Sequence, residues 1–291
     1  MNMKGRITVI IPARDEAPAL PGCLRGVLAA VPGCELIVVD DGSTDATPSI
    51  AAEHGARVIS HRYPKGNGAA VKTGARAATG EILVFMDADG QHRPEDIPRL
   101  LAKLEEGYDM AVGARGMADH AGAHRSFANA VFNRLASWMV NHRVDDLTSG
   151  FRAVRAECFR RFLYLLPNSF SYPTTCTMSF FRAGFGVAYV SVSMPPRIGE
   201  SHIHPFRDGI RFILIIIKIG TLYSPLKLFL PIASAFFATG LGYYSYTYLM
   251  YHRFTNMSAL LFITSVLVFL IGLVSEQITM LTYKDSDQEP S

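Results

Sequence analysis

The stretch "ILVFMDADGQHRPEDI", residues 82–97, places two aspartates, Asp87 and Asp89, one residue apart at the end of an apolar run. The apolar run predicts a buried strand, and "RPEDI" predicts the start of a helix. Two carboxylates this close repel each other unless positive charge lies between them. The pattern has two interpretations: a strand-end turn in which Asp89-Gly90 supplies the bend, or a cation site.

The same order of apolar strand, polar strand end and helix recurs along the first 115 residues. This alternation predicts an α/β domain, with a parallel sheet covered by helices on both faces. Ligands in such sheets bind beyond the carboxyl ends of the strands. We therefore expect four polar strand ends to converge: Pro12-Ala13-Arg14, Asp40-Asp41, Asp87-Ala88-Asp89 and Gly113-Ala114-Arg115. Farther along the chain, the pattern predicts mainly helix over residues 124–164, around a polar break, and a strand over residues 186–194.

Two long runs near the C-terminus carry no charge, Leu228–Tyr251 with 24 residues and Met257–Ser275 with 19. Each is long enough to cross a bilayer as a helix, and the short segment between them predicts a two-helix transmembrane hairpin. A pair of buried core helices is the alternative interpretation. The hydrophobic content of 49% and the mean hydropathy of +0.19 are high for a purely soluble protein.

The N-terminus lacks the long apolar core of a signal peptide, so we expect the first domain to stay in the cytoplasm. Basic residues before the first run and after the second place both termini on the cytoplasmic side of the cell (inner) membrane. The expected organisation is a catalytic domain (1–205), a juxtamembrane interfacial helix (206–224), two transmembrane helices (225–283) and a disordered tail (284–291). A buried core helix is the alternative for the interfacial segment. The net charge of +3 is too small to indicate nucleic acid binding.

The carboxylates suit a hard divalent cation, Mg²⁺ or Mn²⁺, which prefers oxygen ligands and bridges to phosphates. Asp87 and Asp89 offer two oxygens and the Gln91 amide a third. The sequence contains neither a phosphate-binding P-loop nor a G-x-G-x-x-G turn after the first strand. With these two phosphate-binding motifs absent, the remaining interpretation is a nucleotide diphosphate held through a metal. Asp40 and Asp41 would then accept hydrogen bonds from its base or ribose.

Six motifs together resemble family-2 glycosyltransferases of the polyprenyl-phosphate type, such as dolichol-phosphate mannosyltransferases. They are "IPARDEA", "VVDDGSTDAT", "GNGAAVKTG", "DADGQHRPEDI", "VGAR" and "LTSGFR", in the family's order and approximate spacing. The motifs cover residues 1–200, and "RIGESHI" with the two apolar runs extends the resemblance over nearly the whole chain. The resemblance implies a type A glycosyltransferase (GT-A, Rossmann-like) domain with a C-terminal membrane hairpin.

The resemblance also implies roles for single residues. It makes Asp87, Asp89 and Gln91 the metal ligands, with Ala88 inside that motif, and Pro12, Ala13, Arg14 and Glu16 neighbours of the nucleotide. It places Asp40 and Asp41 after the second strand of the donor site. It assigns Arg115, Arg125, Ser126 and Arg197 to the catalytic or acceptor site, with Ser201 in the loop after Arg197. Three positions depart from the family: Asp15 stands for the usual Asn, Asn67 for a Lys, and His202 for a Lys at an expected phosphate contact.

The implied acceptor is an undecaprenyl or dolichyl phosphate, whose oxygen is already ionised near neutral pH and needs no general base. Direct displacement at the sugar would invert its anomeric configuration, while the cation and arginines stabilise the departing nucleotide. Asp146 is expected near the sugar, with helix capping as the alternative. Arg115, Arg125 and Arg197 are expected to grip the acceptor phosphate, or else to form surface ion pairs.

Other classes of function stay open. A glycosyltransferase with a non-phosphorylated acceptor would need a carboxylate base, and the corresponding motif is absent. A non-catalytic membrane scaffold is disfavoured by the intact "DADGQ" set, and a nucleotidyltransferase by "PARDEAPAL" where a glycine-rich loop would stand. The sugar, the choice between GDP and UDP, the prenyl length and the oligomeric state are not readable from these residues.

Overall fold

A computed structural model describes residues 6–115, 133–168, 171–193 and 221–284 of the 291-residue chain. Contacts between Cα atoms divide the chain into two compact units, Met1–His202 and Ile203–Ser291. The first contains the sheet, and the second contains two long helices.

The first unit is built on a seven-stranded sheet with the order β3-β2-β1-β4-β6-β5-β7. Its strands are β1 (Ile7–Ala13), β2 (Glu35–Asp40), β3 (Arg57–Ser60), β4 (Ile82–Phe85), β5 (Met110–Arg115), β6 (Arg152–Arg155) and β7 (Val187–Val192). All neighbouring pairs are parallel except those of β6, which runs antiparallel to both β4 and β5. The sheet is therefore mixed.

The fully parallel sheet expected from the sequence is wrong at β6. Residues 124–164 were expected to be mainly helical, yet "RAVR" pairs with two strands. The arginines at both ends of this segment make it look polar in the sequence. Arg152 is nevertheless buried, with 0% of its surface exposed. Ala153 and Val154 are buried as well, so tertiary burial decides this segment.

Helices connect the strands and cover the sheet. They are α1 (Leu20–Ala30), α2 (Thr47–Glu53), α3 (Asn67–Ala77), a 3₁₀ turn (Pro94–Asp96), α4 (Ile97–Glu105), α5 (described over 133–140), α6 (Ala156–Arg160) and α7 (Tyr172–Arg182). The helix α3 packs against β1 and β2, where Gly74 lies directly on Ile10. A larger side chain at Gly74 would push α3 off the sheet and move the polar residues at the start of that helix.

Strand register brings the polar strand ends to one edge. Ala13 pairs with Asp40 across β1 and β2, and Ile10 pairs with Phe85 across β1 and β4. The Asp41 N–H then donates to the Ala13 carbonyl at 2.9 Å, extending the pairing into the loops. The convergence expected from the sequence is therefore present for β1, β2 and β4.

The second unit is a helical hairpin, α8 (Pro225–Tyr251) and α9 (Asn256–Lys284). Both helices are long and apolar enough, by length and composition, to cross a membrane. Small residues let them approach closely, since a Cβ on Gly272 would lie 2.8 Å from Phe229 Cβ. The Ser265 hydroxyl donates to the Ala233 carbonyl at 2.8 Å, a hydrogen bond between the helices.

Glu35 ties β2 to β1 and to the turn before β4. Its carboxylate accepts hydrogen bonds from the Thr8 hydroxyl at 2.6 Å and the Thr79 N–H at 2.7 Å. Burial raises the pKa of Glu35, but these hydrogen bonds and Arg57 outweigh burial and hold the pKa below its usual range.

Because the folded pKa of Glu35 is depressed, its stabilisation is fully present above the unfolded pKa of about 4.3 and is lost as pH falls through the folded pKa. We expect Glu35→Gln to destabilise the protein by about 1–3 kcal/mol at pH 7 and to flatten the loss of stability in acid. Thermal unfolding of the full chain in detergent between about pH 6 and pH 3 measures both effects. Glu53→Gln, at an exposed position, is the control, and equal acid sensitivity of the two variants would contradict the assignment.

Candidate functional site

A cleft of about 250 Å³ opens at the carboxyl edge of β1, β2 and β4. It is lined by Pro12, Ala13, Arg14, Glu16, Asp41, Gly66, Asn67, Ala70, Asp87, Ala88 and Asp89. Nine of these residues were singled out from the sequence for the donor site. They come from three strand ends and the start of α3, so the fold alone brings them together.

The loop after β1 is fastened to the loop after β2. The N–H groups of Asp15, Glu16 and Ala17 donate to the side chains of Ser43, Thr47 and Asp45, at 3.0, 2.9 and 3.1 Å. In return, Asp15 Oδ1 accepts the Thr44 N–H at 2.8 Å. Asp15 adopts φ 54°, a left-handed conformation that Asn and Asp tolerate better than most residues. The wall of the cleft is thus held in shape before any ligand binds.

Asp41 is buried and its carboxylate is occupied by protein groups. It accepts hydrogen bonds from His61 Nδ1 at 2.7 Å, the Lys65 N–H at 2.8 Å and the Gly66 N–H at 2.7 Å. Burial raises the pKa of Asp41, but these donors outweigh burial and hold the pKa below its usual range. Asp41 thus positions the glycine turn while lining the cleft, and its expected role as an acceptor for base or ribose stays a prediction.

Asp40 lies at the end of β2, as expected from the sequence. Its Oδ1 accepts the Ser43 N–H at 2.9 Å, and the residue is 4% exposed. Asp40 is not among the residues that line the cleft. The carboxylate therefore shapes the turn after β2.

Asp87 is positioned from several sides. Its N–H donates to His92 Nδ1 at 2.9 Å, which leaves the His92 proton on Nε2. Asn67 Nδ2 lies 3.4 Å from Asp87 Oδ1, and a Cβ on Gly150 would lie 3.1 Å from Asp87 Oδ2. The Asn67 Oδ1 atom is buried and has no hydrogen-bond partner among the described residues, so a donor group or cation from a ligand would satisfy it.

Asp89 and Gln91 form the turn after β4. The Gln91 N–H donates to Asp89 Oδ1 at 3.1 Å, and the Gln91 side chain is not among the groups lining the cleft. Cys23 lies beside this turn, and burial together with the charges of Asp89, Asp87 and Glu16 raises the pKa of its thiol to about 12. The lining of the cleft holds four carboxylates and one arginine, so its formal charge is negative, as a cation site requires.

The residues present fit a hard divalent cation. Within the described ranges, no three His, Cys, Asp or Glu side chains are grouped as a metal cage. Two carboxylates with a nearby amide oxygen suit Mg²⁺ or Mn²⁺, which keeps waters and takes its other ligands from substrate phosphates. The orphaned Asn67 oxygen is consistent with a ligand in the same cleft.

Arg115 at the end of β5 is held by a buried carboxylate. Its Nε donates to Asp146 Oδ2 at 3.0 Å, and an Nη donates to the Thr148 hydroxyl at 2.9 Å. Burial raises the pKa of Asp146, but Arg115 and the Thr148 hydrogen bonds outweigh burial and keep the pKa below its usual range. The Arg115 side chain is still 33% exposed, so its guanidinium has room for another partner.

Three residues near this site were missed from the sequence: His61, His92 and Arg152. His92 stacks on Phe151 with ring centroids 5.1 Å apart, and Arg152 donates to the Ser149 carbonyl at 2.5 Å and the Pro173 carbonyl at 3.2 Å. Both contacts fix the "LTSGFR" segment, whose Gly150 lies against Asp87. The available signal was a histidine directly after "DADGQ" and an arginine ending "LTSGFR".

The remaining predicted site residues lie outside the described ranges. They are Arg125, Ser126, Arg197, Ser201 and His202. Their assignments stay predictions.

Comparison with known proteins places this geometry in a family. Residues 8–163 match Glycosyl transferase family 2, and residues 224–281 match the GtrB C-terminal hairpin. A dolichyl-phosphate hexose transferase of Haloferax volcanii is 30% identical over 216 residues, 73% of this chain and 93% of that protein. An undecaprenyl-phosphate mannosyltransferase of Micrococcus luteus is 33% identical over 214 residues, 67% of this chain and 86% of that protein.

Among solved structures, glucosyl-3-phosphoglycerate synthase from Mycobacterium tuberculosis, in complex with Mn²⁺ and UDP-glucose, is similar with a TM-score of 0.60. The alignment covers 74% of this chain and 78% of that one at 24% identity, so it shows the fold. The mixed sheet is therefore GT-A-like, as the sequence predicted. The chain belongs to glycosyl transferase family 2.

Proposed function

We propose that the chain transfers a sugar from a GDP- or UDP-linked donor to a membrane polyprenyl phosphate, with inversion at the anomeric carbon. The observation that carries this proposal is the acidic, preorganised cleft in a family-2 domain followed by an apolar hairpin. The Haloferax and Micrococcus relatives, whose names state dolichyl- and undecaprenyl-phosphate substrates, support the acceptor class.

The donor nucleotide would occupy the cleft, against the fastened loop of Pro12, Ala13, Arg14 and Glu16. The diphosphate would extend toward Asp87 and Asp89, which would hold Mg²⁺ or Mn²⁺ with Gln91 moving in as a third ligand. When bound, the cation supplies positive charge that offsets the charge developing on the leaving diphosphate. Asn67, at the start of α3, would hydrogen-bond to the donor through its unpaired amide oxygen.

The acceptor phosphate carries its own negative oxygen, so the protein has no proton to remove. Its task is to hold that oxygen in line with the sugar. Arg115 is the described candidate, since Asp146 and Thr148 fix its guanidinium and leave part of it exposed. Arg125, Ser126, Arg197, Ser201 and His202 complete the proposed acceptor site from the sequence.

We further propose an integral protein of the cell membrane, with the catalytic unit and both termini in the cytoplasm. The two apolar helices and the basic residues flanking them support this topology. A label that reaches the C-terminal tail only from outside the cell would contradict it.

The proposed reaction is tested by offering labelled sugar nucleotides to membranes that contain undecaprenyl or dolichyl phosphate. Label should enter the lipid phase with one donor, and the product should show the inverted anomeric configuration by NMR. A scaffold protein would transfer nothing with any donor. Transfer only to an acceptor hydroxyl would contradict the phosphate acceptor.

Asp89→Ala should abolish transfer while leaving the thermal unfolding midpoint nearly unchanged, because the side chain lies on a turn at the cleft. Mn²⁺ binding, followed by electron paramagnetic resonance, should weaken by at least about tenfold, since one of two carboxylate ligands is lost. Glu95→Ala, an exposed carboxylate in the following turn, is the matched control. Full turnover in EDTA by purified Asp89→Ala would refute the metal assignment.

Arg115→Ala should lower kcat/KM by about 10²–10³-fold, if its guanidinium stabilises charge in the transition state. The same change leaves the buried Asp146 without its cation, so the unfolding midpoint should also fall. Arg115→Lys should recover stability better than activity, because a single ammonium lacks the fork that binds two partners. Arg143→Ala removes an exposed ion pair to Asp145 and serves as the control. Equal kinetics for Arg115→Ala and Arg143→Ala would rule out the role.

Arg197→Ala should raise the acceptor KM strongly and leave the donor dissociation constant nearly unchanged, because a guanidinium in a polar loop is suited to enclosing a phosphate. Arg211→Ala, in the basic segment that follows, should cost much less. Kinetics with varied acceptor and direct donor-binding measurements separate the two effects. A raised donor dissociation constant with an unchanged acceptor KM would move Arg197 to the donor site.

A further inference from the structure

Aromatic residues crowd the turn end of the hairpin. Five of the 12 tyrosines lie within nine residues at the end of α8: Tyr243, Tyr244, Tyr246, Tyr248 and Tyr251. Most are open to the surroundings, with 53% exposure at Tyr246 and 63% at Tyr251. We call these five residues the tyrosine belt.

The belt occupies two flanks of α8, one on each side of the face that carries the buried Thr247. Tyr244, Tyr248 and Tyr251 follow each other at spacings of four and three residues and share one flank, while Tyr243 and Tyr246 share the other. Both flanks carry exposed rings, such as Tyr246 and Tyr248. A partner protein on one flank would leave the other uncovered, whereas a lipid environment contacts both.

The depth of the belt follows from helix length. A hydrocarbon layer about 30 Å thick is crossed by about 20 helical residues. Counted from Leu228, the first residue of the uncharged run, about 20 residues end near Thr247, in the middle of the belt.

The helix α9 independently gives the same boundaries for the hydrocarbon layer. Counted from Met257, about 20 residues end near Glu276. The Glu276 carboxylate accepts the N–H of Leu226, in the first turn of α8, with the two atoms 3.3 Å apart. The carboxylate and the start of α8 therefore lie at one boundary of the layer, and the belt lies at the other.

We propose that the tyrosine belt sits in the phospholipid headgroup layer at the membrane face where the hairpin turns, and fixes the depth of the hairpin. Tyrosine suits this layer because its ring is apolar and its hydroxyl hydrogen-bonds with lipid carbonyls and phosphates. Arg253, directly after the belt, adds a cation at the level of the phosphates. The inference rests on the proposed membrane crossing and goes beyond the proposed transfer reaction.

The test places single tryptophans at two depths in full-length protein carrying Trp138→Phe, which removes the one native tryptophan. Tyr246→Trp reports on the belt, and Phe237→Trp, about 13 Å deeper along α8, is the matched control. Each variant is reconstituted in phosphatidylcholine vesicles whose lipids carry bromine either near the carbonyl end or near the methyl end of the acyl chain. Tryptophan fluorescence is quenched by the bromines it contacts.

Tyr246→Trp should be quenched at least about twofold more by the shallow bromines, and Phe237→Trp more by the deep ones. If Phe237→Trp responds as expected while Tyr246→Trp is quenched best by deep bromines, or only by iodide in water, the belt is not in the headgroup layer. If neither bromine nor iodide quenches Tyr246→Trp, protein covers the belt and the proposal is wrong. Absence of bromine quenching at both positions would overturn the membrane crossing itself, and the transfer assay would then still report separately on the catalytic unit.

Discussion

The placement of two carboxylates, Asp87 and Asp89, in one cleft directly after β4 is the constraint on which the site depends. Two carboxylates at one strand end are held there by rigid neighbours: His92 accepts the Asp87 N–H, and Gly150 lies against the Asp87 carboxylate. The cleft is lined by four carboxylates, Glu16, Asp41, Asp87 and Asp89, and by one arginine, Arg14. The fold therefore concentrates negative charge in the cleft, and a cation bound together with a diphosphate would neutralise it.

Hydrogen bonds in the rest of the first unit hold the loops of the cleft in place. The Asp41 carboxylate accepts hydrogen bonds from the glycine turn before α3. Asp15 and Asp45 connect the loops after β1 and β2 by hydrogen bonds. The cleft is thus built from acidic residues with two different tasks. Asp15 and Asp45 accept protein N–H groups and shape the backbone, whereas Asp87 and Asp89 line the cavity that these loops enclose.

The sequence predicted those elements whose structure depends on residues close together in the chain. The strands β1, β2 and β4, the helix starts and the apolar hairpin follow from hydrophobic periodicity and punctuating residues. The strand β6 did not, because the burial of Arg152 in "RAVR" depends on partners in α7, the Pro173 carbonyl and the Thr177 hydroxyl, which are distant in sequence. The pairs His61–Asp41 and Arg115–Asp146 were not predicted for the same reason, since 20 and 31 residues separate their members.

Arg152 shows how far such long-range contacts reach. Its guanidinium is fully buried, and the partners found for it in the described residues are neutral: backbone carbonyls, the Thr177 hydroxyl and the Met110 sulfur. Burying a charge in this way costs free energy that an apolar residue would not cost. What the arginine provides is geometry: its hydrogen bond to the Ser149 carbonyl fixes the backbone directly before Gly150, the residue that contacts Asp87. Burial of Arg152 therefore costs stability but fixes the backbone beside the Asp87 carboxylate. Arg152 is in this sense a positioning residue for the candidate site.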